Sequence, residues 1–598
     1  MMIHPRNRWT HRLRTRGDWS DRHMTPGGRG IGRRKVYRGI GPRRRRCGIA
    51  AMLVLLSAFV SSDLHAASAD SVRSQIAGAI AGASAILDQS AVAHGGSQAL
   101  QSVYSGSGNA PLWSREGRAT RQAEALLLEL QNAQAYGLEA KDYQGNEIGQ
   151  LLNRPPSSGG SDDERWAGFD VRLSVAALRF ISDLHYGRVT PEAAGFKLRE
   201  DRPPFDLAAA LQDLTSVPDV AQAIASAEPA FYHYGLLKDA LARLRRLAQR
   251  ADFVQLPPPP PKLKVGEPYA GAPALRRMLS TIGDLPPGDA TAPTDPTFDA
   301  SLSAGVRNYQ ARHGLGIDGL LGKATFSALK TPPAQRIRQI TLTLERWRWL
   351  SPFKTPPIIV NIPQFRLFVF RTTRDRAADI LQMDVIVGRT YPQTQTPVFE
   401  GDMRYVILRP YWDVPYSITQ HEMLPKIRAN LAYMAAQHLE IASGPDDASP
   451  AVPATQENLA ALAAGKLRLR QQPGEDNALG LAKFIFPNNY NVYLHGTPAH
   501  NLFKEPVRAF SHGCIRVSDP VTLATLVLKD APGNWTREKI QAAMNGRTSV
   551  RIDLARPINV LILYATALAT EAGPVMFFDD IYGYDRKLER QLGLPPVS

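Results

Sequence analysis

Between Tyr493 and Asp519 the chain sets Cys514 among His495, His500, His512, Arg508 and Arg516. A thiol attacks carbonyl carbon as its thiolate, and a neighbouring imidazole can act as its base. His512 precedes the thiol by two positions. His495 ends the run Tyr490–His495, which reads as a strand, and the intervening loop is long enough to return beside it. Spacing alone leaves both imidazoles as candidate bases. Ser511-His512-Gly513-Cys514 also offers successive backbone N–H groups, and Gly513 permits a tight turn that could aim them at an oxyanion. The chemistry this predicts is nucleophilic catalysis at a carbonyl. His495, His500, His512 and Cys514 would also suit zinc, but no further Cys or metal-ligand spacing accompanies them, so no metal and no cofactor is expected.

Charge and cysteine usage narrow the setting. The formal charge of +16 is concentrated in residues 1–46, which carry fifteen Lys/Arg against two acids, and the other 552 residues carry only +3. That removes the main argument for a nucleic-acid partner. Arg43–Arg46 precede an apolar run from Gly48 to Val60 and then small residues through Ala67-Ser68-Ala69. This is the pattern of an export signal, and the apolar run is short for a spanning helix, although an uncleaved inner-membrane tether is an alternative. Residues 1–69 are thus read as a basic leader and signal peptide, which implies a periplasmic protein. Of two cysteines, Cys47 falls in the leader, so Cys514 is the lone thiol of the exported chain.

The elements that position this stretch divide the chain into an α+β multidomain protein. Residues 70–256 have helical periodicity, as in Gln122–Ala135 and Tyr232–Ala251, and form a scaffold in which Trp113 and Tyr186 are core. Pro257–Pro261 open a proline-rich linker over 257–297 that contains a short helical piece near Ala274–Ile282. A small helical module follows at 298–332, with Tyr309, Leu320, Leu321 and Phe326 as its core. A Trp- and Arg-rich linking helix occupies 333–356. From 357 to 590 the texture is β, with predicted strands at Ile358–Asn361, Arg366–Phe370, Ile380–Val387, Met403–Leu408, Ser549–Leu554, Asn559–Ala565 and Val575–Phe578. An Ala-rich, helical insertion over about 417–489 interrupts it as a candidate lid.

His495-Gly496-Thr497 with Ser511-His512-Gly513-Cys514-Ile515-Arg516 resembles the signature of the YkuD-type L,D-transpeptidases, and the run VRNYQARHGL…DGLLGKATFSAL resembles the peptidoglycan-binding module of wall enzymes. The domain series is similar to the large Gram-negative, YcbB-like subfamily. The resemblance implies a fold with a mostly-β YkuD-type catalytic domain. It implies that Cys514 forms a thioester with a tetrapeptide stem, releasing D-Ala, and that an amine of meso-diaminopimelate resolves it as a 3–3 cross-link. L,D-carboxypeptidase activity, attachment of a protein to the wall, and a non-catalytic wall-binding protein are the alternatives. In this reading His495 is the base, oriented by a neighbouring backbone carbonyl. His512, Gly513 and Gly496 shape the loop and oxyanion hole, Arg516 holds the loop or meets a substrate carboxylate, and Tyr493 and Trp412 line the cleft. The partners are stem peptides and glycan strands; the sequence leaves the oligomeric state undefined. A thiolate paired with imidazolium is expected at Cys514, reactive below neutral pH.

Overall fold

The computed structural model describes residues 70–597, except 84–86, 88, 154–161, 200, 250–255, 262, 287–293, 374–379, 392–393 and 572. The leader lies outside the described residues. The scaffold packs around α1 (Asp162–Tyr186), whose first turn carries Asp162, Asp163 and Glu164 at the positive end of its dipole. Its core includes Tyr104, Trp113, Leu126, Phe169 and Phe180. Asp170, buried on α1, accepts the N–H groups of Leu112 and Trp113 at 2.8 Å and the Tyr104 hydroxyl at 2.7 Å. Burial pushes its carboxyl up to about 6, against those hydrogen bonds. Trp113 is fully buried and donates to Ser174, so it is a core residue. Among the described residues no helix is long and apolar enough to cross a membrane.

The proline-rich stretch is more than a spacer. Leu256, Leu263, Tyr269 and α3 (Ala272–Thr281), which follows α2 (Tyr232–Ala248), share one core with α4 (Ala300–Arg312) and α5 (Lys323–Leu329). The module therefore starts well before residue 298. Leu275 and Leu279 on α3 are fully buried, and a helix with one apolar face needs a neighbour to cover it. Tyr309 and Leu321 are core as expected, whereas Phe326 packs at the margin and Leu320 is 42% exposed. Gly319 (φ +75°) backs onto Ser303 Oγ, which an added Cβ would meet at 2.7 Å. Arg312 pairs with Asp284 and donates to the Val575 carbonyl, and His313 stacks between Tyr309 and Phe577, so the module is docked on the C-terminal domain.

The linking helix α6 (Pro333–Arg348) is buried at the junction of scaffold and C-terminal domain. Arg348, with no exposed surface, donates to Glu345 Oε2 at 2.8 Å, to the Tyr136 carbonyl at 2.5 Å and to the Tyr234 hydroxyl at 3.3 Å. Glu345 Oε1 accepts the N–H groups of Arg188 and Val189 at 2.5 and 3.1 Å. One ion pair thus gathers the end of α1, residue 136 and α2 against α6.

The C-terminal domain is a closed sheet. Its strands are β1 (Ile358–Asn361), β2 (Arg366–Val369), β3 (Leu381–Gly388), β4 (Glu400–Leu408), β5 (Ala482–Ile485), β6 (Leu494–His495), β7 (Ala509–Ser511), β8 (Ile515–Val517) and β9 (Val550–Leu563). They pair in the order β3-β8-β6-β5-β4-β9-β1-β2, and β2 closes back on β3, with β7 added at the far end of β3. The two strands expected at 549–554 and 559–565 are one strand, β9, whose register slips between Asp553 and Ile558 around Pro557, which has no N–H to give a ladder. The expected strand at 575–578 lies outside this sheet, where Met576–Phe577 pairs with Ala567–Leu568.

The insertion between β4 and β5 is mixed rather than helical, and it begins and ends earlier than the expected 417–489. Trp412–Asp413, Arg468–Gln471, Leu439–Ala442 and Ala451–Val452 form a four-stranded sheet, flanked by helices such as Gln456–Ala463. Residues 482–489 belong to β5 and the turn beyond it. Four-residue strands are too short for period-2 alternation to outweigh the Ala-rich helices around them.

The junction pair generates a prediction. Glu345→Ala strips Arg348 of its partner and leaves two N–H groups without an acceptor, so it should destabilise the protein by about 3–5 kcal/mol. Thermal unfolding measures it. A loss below about 1 kcal/mol would show that the pair does not organise the junction.

Candidate active site

The chemistry is positioned by two short neighbouring strands. β6 and β8 run parallel, with Leu494 opposite Ile515 and His495 opposite Arg516. On the other side β6 pairs antiparallel with β5, placing Lys483 opposite His495 and Phe484 opposite Leu494. Phe484, Leu494 and Ile515 are fully buried in the barrel core. By alternation, Lys483, His495 and Arg516 form a row on the other face, and Tyr493 and Cys514, each two residues earlier, share it. The sheet thus brings Cys514, His495, Tyr493 and Arg516 together.

Cys514 is half-buried. Its thiol lies 3.6 Å from the Asn491 carbonyl, to which it donates, with Tyr493 as a neighbour. Asn491 has a left-handed backbone (φ 53°), a conformation asparagine tolerates better than most residues. The turn before the thiol is tied down by side chains. Gly513 (φ +116°) adopts a backbone disfavoured for L side chains, its carbonyl accepts Thr396 Oγ1 at 2.8 Å, and Ser511 Oγ donates to the Cys514 carbonyl at 2.5 Å. The Gly513 N–H is engaged by Ser511 Oγ at 3.1 Å, which withdraws it from the expected oxyanion hole. The N–H groups of His512 and Cys514 are left as candidate donors.

His495 is 4% exposed, and its Nδ1 donates to the Gly496 carbonyl at 2.6 Å, as expected of a base held by backbone. That bond leaves Nε2 to accept a proton. Burial, then the charges of Arg516 and Lys483, lower its pKa to about 3. Burial raises the Cys514 thiol above its ordinary value, opposed by Tyr493, Lys483 and Arg516. Burial thus opposes both ions of the expected thiolate–imidazolium pair, lowering the imidazole and raising the thiol. The structural difference is desolvation, which penalises both ions of the pair.

The other predicted residues separate by role. His512 is exposed and turns to the insertion, with Nε2 2.9 Å from Glu422 Oε1 and 3.5 Å from Arg389. Gly496 packs against 479–481, where an added Cβ would meet the Leu479 carbonyl at 3.3 Å. Arg516 lies beside Cys514 with its Nε buried and without a partner, so no hydrogen bond from that nitrogen holds the loop. Trp412 packs against the core of the insertion; its neighbour Asp413 is the residue whose carboxylate faces Lys483. Arg508 bonds Asp384 and the carbonyls of Phe365 and Val385, a structural clamp, and His500 sits in the 3-10 turn His500–Lys504. Sequence reasoning missed Lys483, Asn491 and Thr396. For Lys483 a signal existed, since it is the one charge in the apolar run Leu481–Phe486.

Against known proteins, the chain matches a scaffold domain over residues 98–241 and, over residues 271–329, a family described as "Putative peptidoglycan binding domain". Residues 356–552 match the L,D-transpeptidase catalytic domain of the YkuD family. A Haemophilus influenzae protein named "Putative L,D-transpeptidase" is 32% identical over 251 residues, 42% of this chain and 49% of that protein. The chain thus spans about half the length of this curated relative. The barrel that pairs the strands beside Cys514 and His495 is the part of the chain that matches the YkuD L,D-transpeptidase catalytic domain, and it follows stretches that match a scaffold domain and a putative peptidoglycan-binding domain.

Proposed function

We propose that the protein is a peptidoglycan L,D-transpeptidase that forms 3–3 cross-links through a Cys514 thioester, acting after export in the periplasm. The observation that carries this reading is the parallel pairing that joins the strand following Cys514 to that of His495, a buried imidazole held by backbone at Nδ1. His495 takes the thiol proton as sulfur adds to the carbonyl between the third and fourth stem residues. The N–H groups of His512 and Cys514 steady the oxyanion. The C–N bond then breaks, and His495 returns the proton to the departing D-Ala amine. A meso-diaminopimelate amine of a second stem attacks the thioester and gives its proton to His495, and the C–S bond breaks as His495 passes that proton to sulfur, restoring the thiol and the neutral base.

Incubation with defined tetrapeptide muropeptides, read by mass, tests the reaction. Cross-linked dimers with loss of D-Ala are expected, and Cys514→Ala should yield none. His495→Ala should lower turnover at least a hundredfold, and His512→Ala much less. Tripeptide without dimer would make water the acceptor and the protein a carboxypeptidase; turnover by Cys514→Ala would eliminate the thioester.

The resting protonation states give a pH prediction. Because burial raises the Cys514 pKa, iodoacetamide labelling should be slow at pH 5–7 and climb steeply above about pH 9, the ordinary thiol value here. The group is neutral below its pKa, so reactivity appears as pH rises. Fast, pH-independent labelling from pH 5 upward would restore the ion-pair reading.

The module is proposed to hold glycan strands. Its turn exposes Ile317 (62%) and Leu320 (42%), two apolar side chains that the module core leaves uncovered. The double substitution Ile317→Asp, Leu320→Asp should weaken retention on insoluble sacculi several-fold while small muropeptides turn over normally. Unchanged retention would place wall binding elsewhere.

A further inference from the structure

Resting on the reading of Cys514 as nucleophile, we propose that Lys483 is a positioning residue that sets a positive charge against both the thiol and the base, so that the developing thiolate is stabilised while His495 stays unprotonated. Three independent features place it there. Its strand pairs with β6, so Lys483 is the direct cross-strand neighbour of His495, and Arg516 occupies the same place on the opposite side. The imidazole is thus flanked by two cations on three adjacent strands. The Lys483 ammonium stands 4.2 Å from the ring centre of Tyr493, itself a neighbour of the thiol, so a cation–π contact holds the charge on the thiol side. And β5 is otherwise apolar here, with Ala482 and Phe484 fully buried, so nothing in the packing of the strand calls for a lysine.

The groups that face Lys483 define its balance. From the barrel these are Cys514, Tyr493 and His495, with Arg516 beyond the base; from the insertion they are Asp413 and Asp447. Asp413 is itself paired with Arg468, and Asp447 lies beside Arg468 and Arg470, so the insertion's acids are shared with its own arginines. Burial lowers the pKa of the Lys483 ammonium, while Asp413, Cys514 and Asp447 oppose that shift and favour the cation, and the role assigned to it is electrostatic. As the S–H proton passes to His495 and the S–C bond forms, the negative charge on sulfur and then on the carbonyl oxygen grows within the field of Lys483 and Arg516. Both cations oppose protonation of His495 at rest, which keeps the base available.

The test is the pH dependence of Cys514 alkylation by iodoacetamide, which needs no peptidoglycan substrate and so stands whether or not cross-linking is the reaction. Lys483→Met should move the midpoint upward by about one pH unit, the effect of a unit charge a few ångströms away in a partly shielded site, and Lys483→Arg should return most of it. Lys483→Gln serves as the polar control if the methionine variant unfolds, with far-ultraviolet circular dichroism as the check. In muropeptide turnover, loss in kcat with KM nearly unchanged is expected for Met and recovery for Arg. A midpoint unmoved in folded Met and Gln variants, or an equal shift in the Arg variant, would overturn the proposal. A normal shift with no cross-linking by the native protein would instead leave Lys483 in place and remove the transpeptidase reading.

Discussion

The site depends on one pairing, the parallel register of β6 with β8. Two residues of each strand take part, and together they fix which atoms can meet: His495 against Arg516 on the working face, Leu494 against Ile515 in the core. A slip of one residue would turn His495 into the barrel and Leu494 out of it. The core therefore specifies the active site, since Leu494, Ile515 and Phe484 are buried only in this register. The closed sheet adds to that precision by leaving β6 and β8 flanked on both sides, by β5 and by β3.

How much of this could be read from the chain follows from the length scale of each signal. Cys514, His495 and the glycine turn were legible because residue type alone carries chemistry there. The long helices were legible because apolar periodicity persists over many turns, as in α1 and α2. The four-residue strands of the insertion were not, and neither was β5, hidden at its end, so Lys483 went unseen. The proline run read as a spacer because Pro257–Pro261 dominate locally, yet Leu256 and Leu263 on either side are anchored in the module core. The module's first helix was visible in pattern but not in allegiance, which only tertiary packing assigns.

Protonation was the other thing composition could not supply. A Cys–His pair reads as an ion pair when its surroundings are unknown, and here the surroundings decide otherwise. The imidazole is almost wholly enclosed and flanked by two cations, so its charged form is opposed on both counts. The thiol is enclosed too, but its neighbours favour its anion. The two groups are thus biased in the same direction along the reaction, toward sulfur losing a proton only as that proton finds His495.

A protonated resting thiol also suits Cys514, the only cysteine among the described residues. Thiolates are the species that oxidants attack, and among the described residues Cys514 has no second cysteine to resolve an oxidised sulfur. Cys514 is half-buried under a turn pinned by Ser511 and Thr396, with its proton aimed at the Asn491 carbonyl. In the proposed reaction, nucleophilicity appears when an electrophile sits against sulfur, because the charge then formed is delocalised onto the carbonyl oxygen inside the field of Lys483 and Arg516. A site that instead stored a thiolate would be reactive at all times and selective only by access. In the proposed reaction, desolvation by the barrel, balanced against Lys483 and Arg516, makes reactivity conditional on substrate.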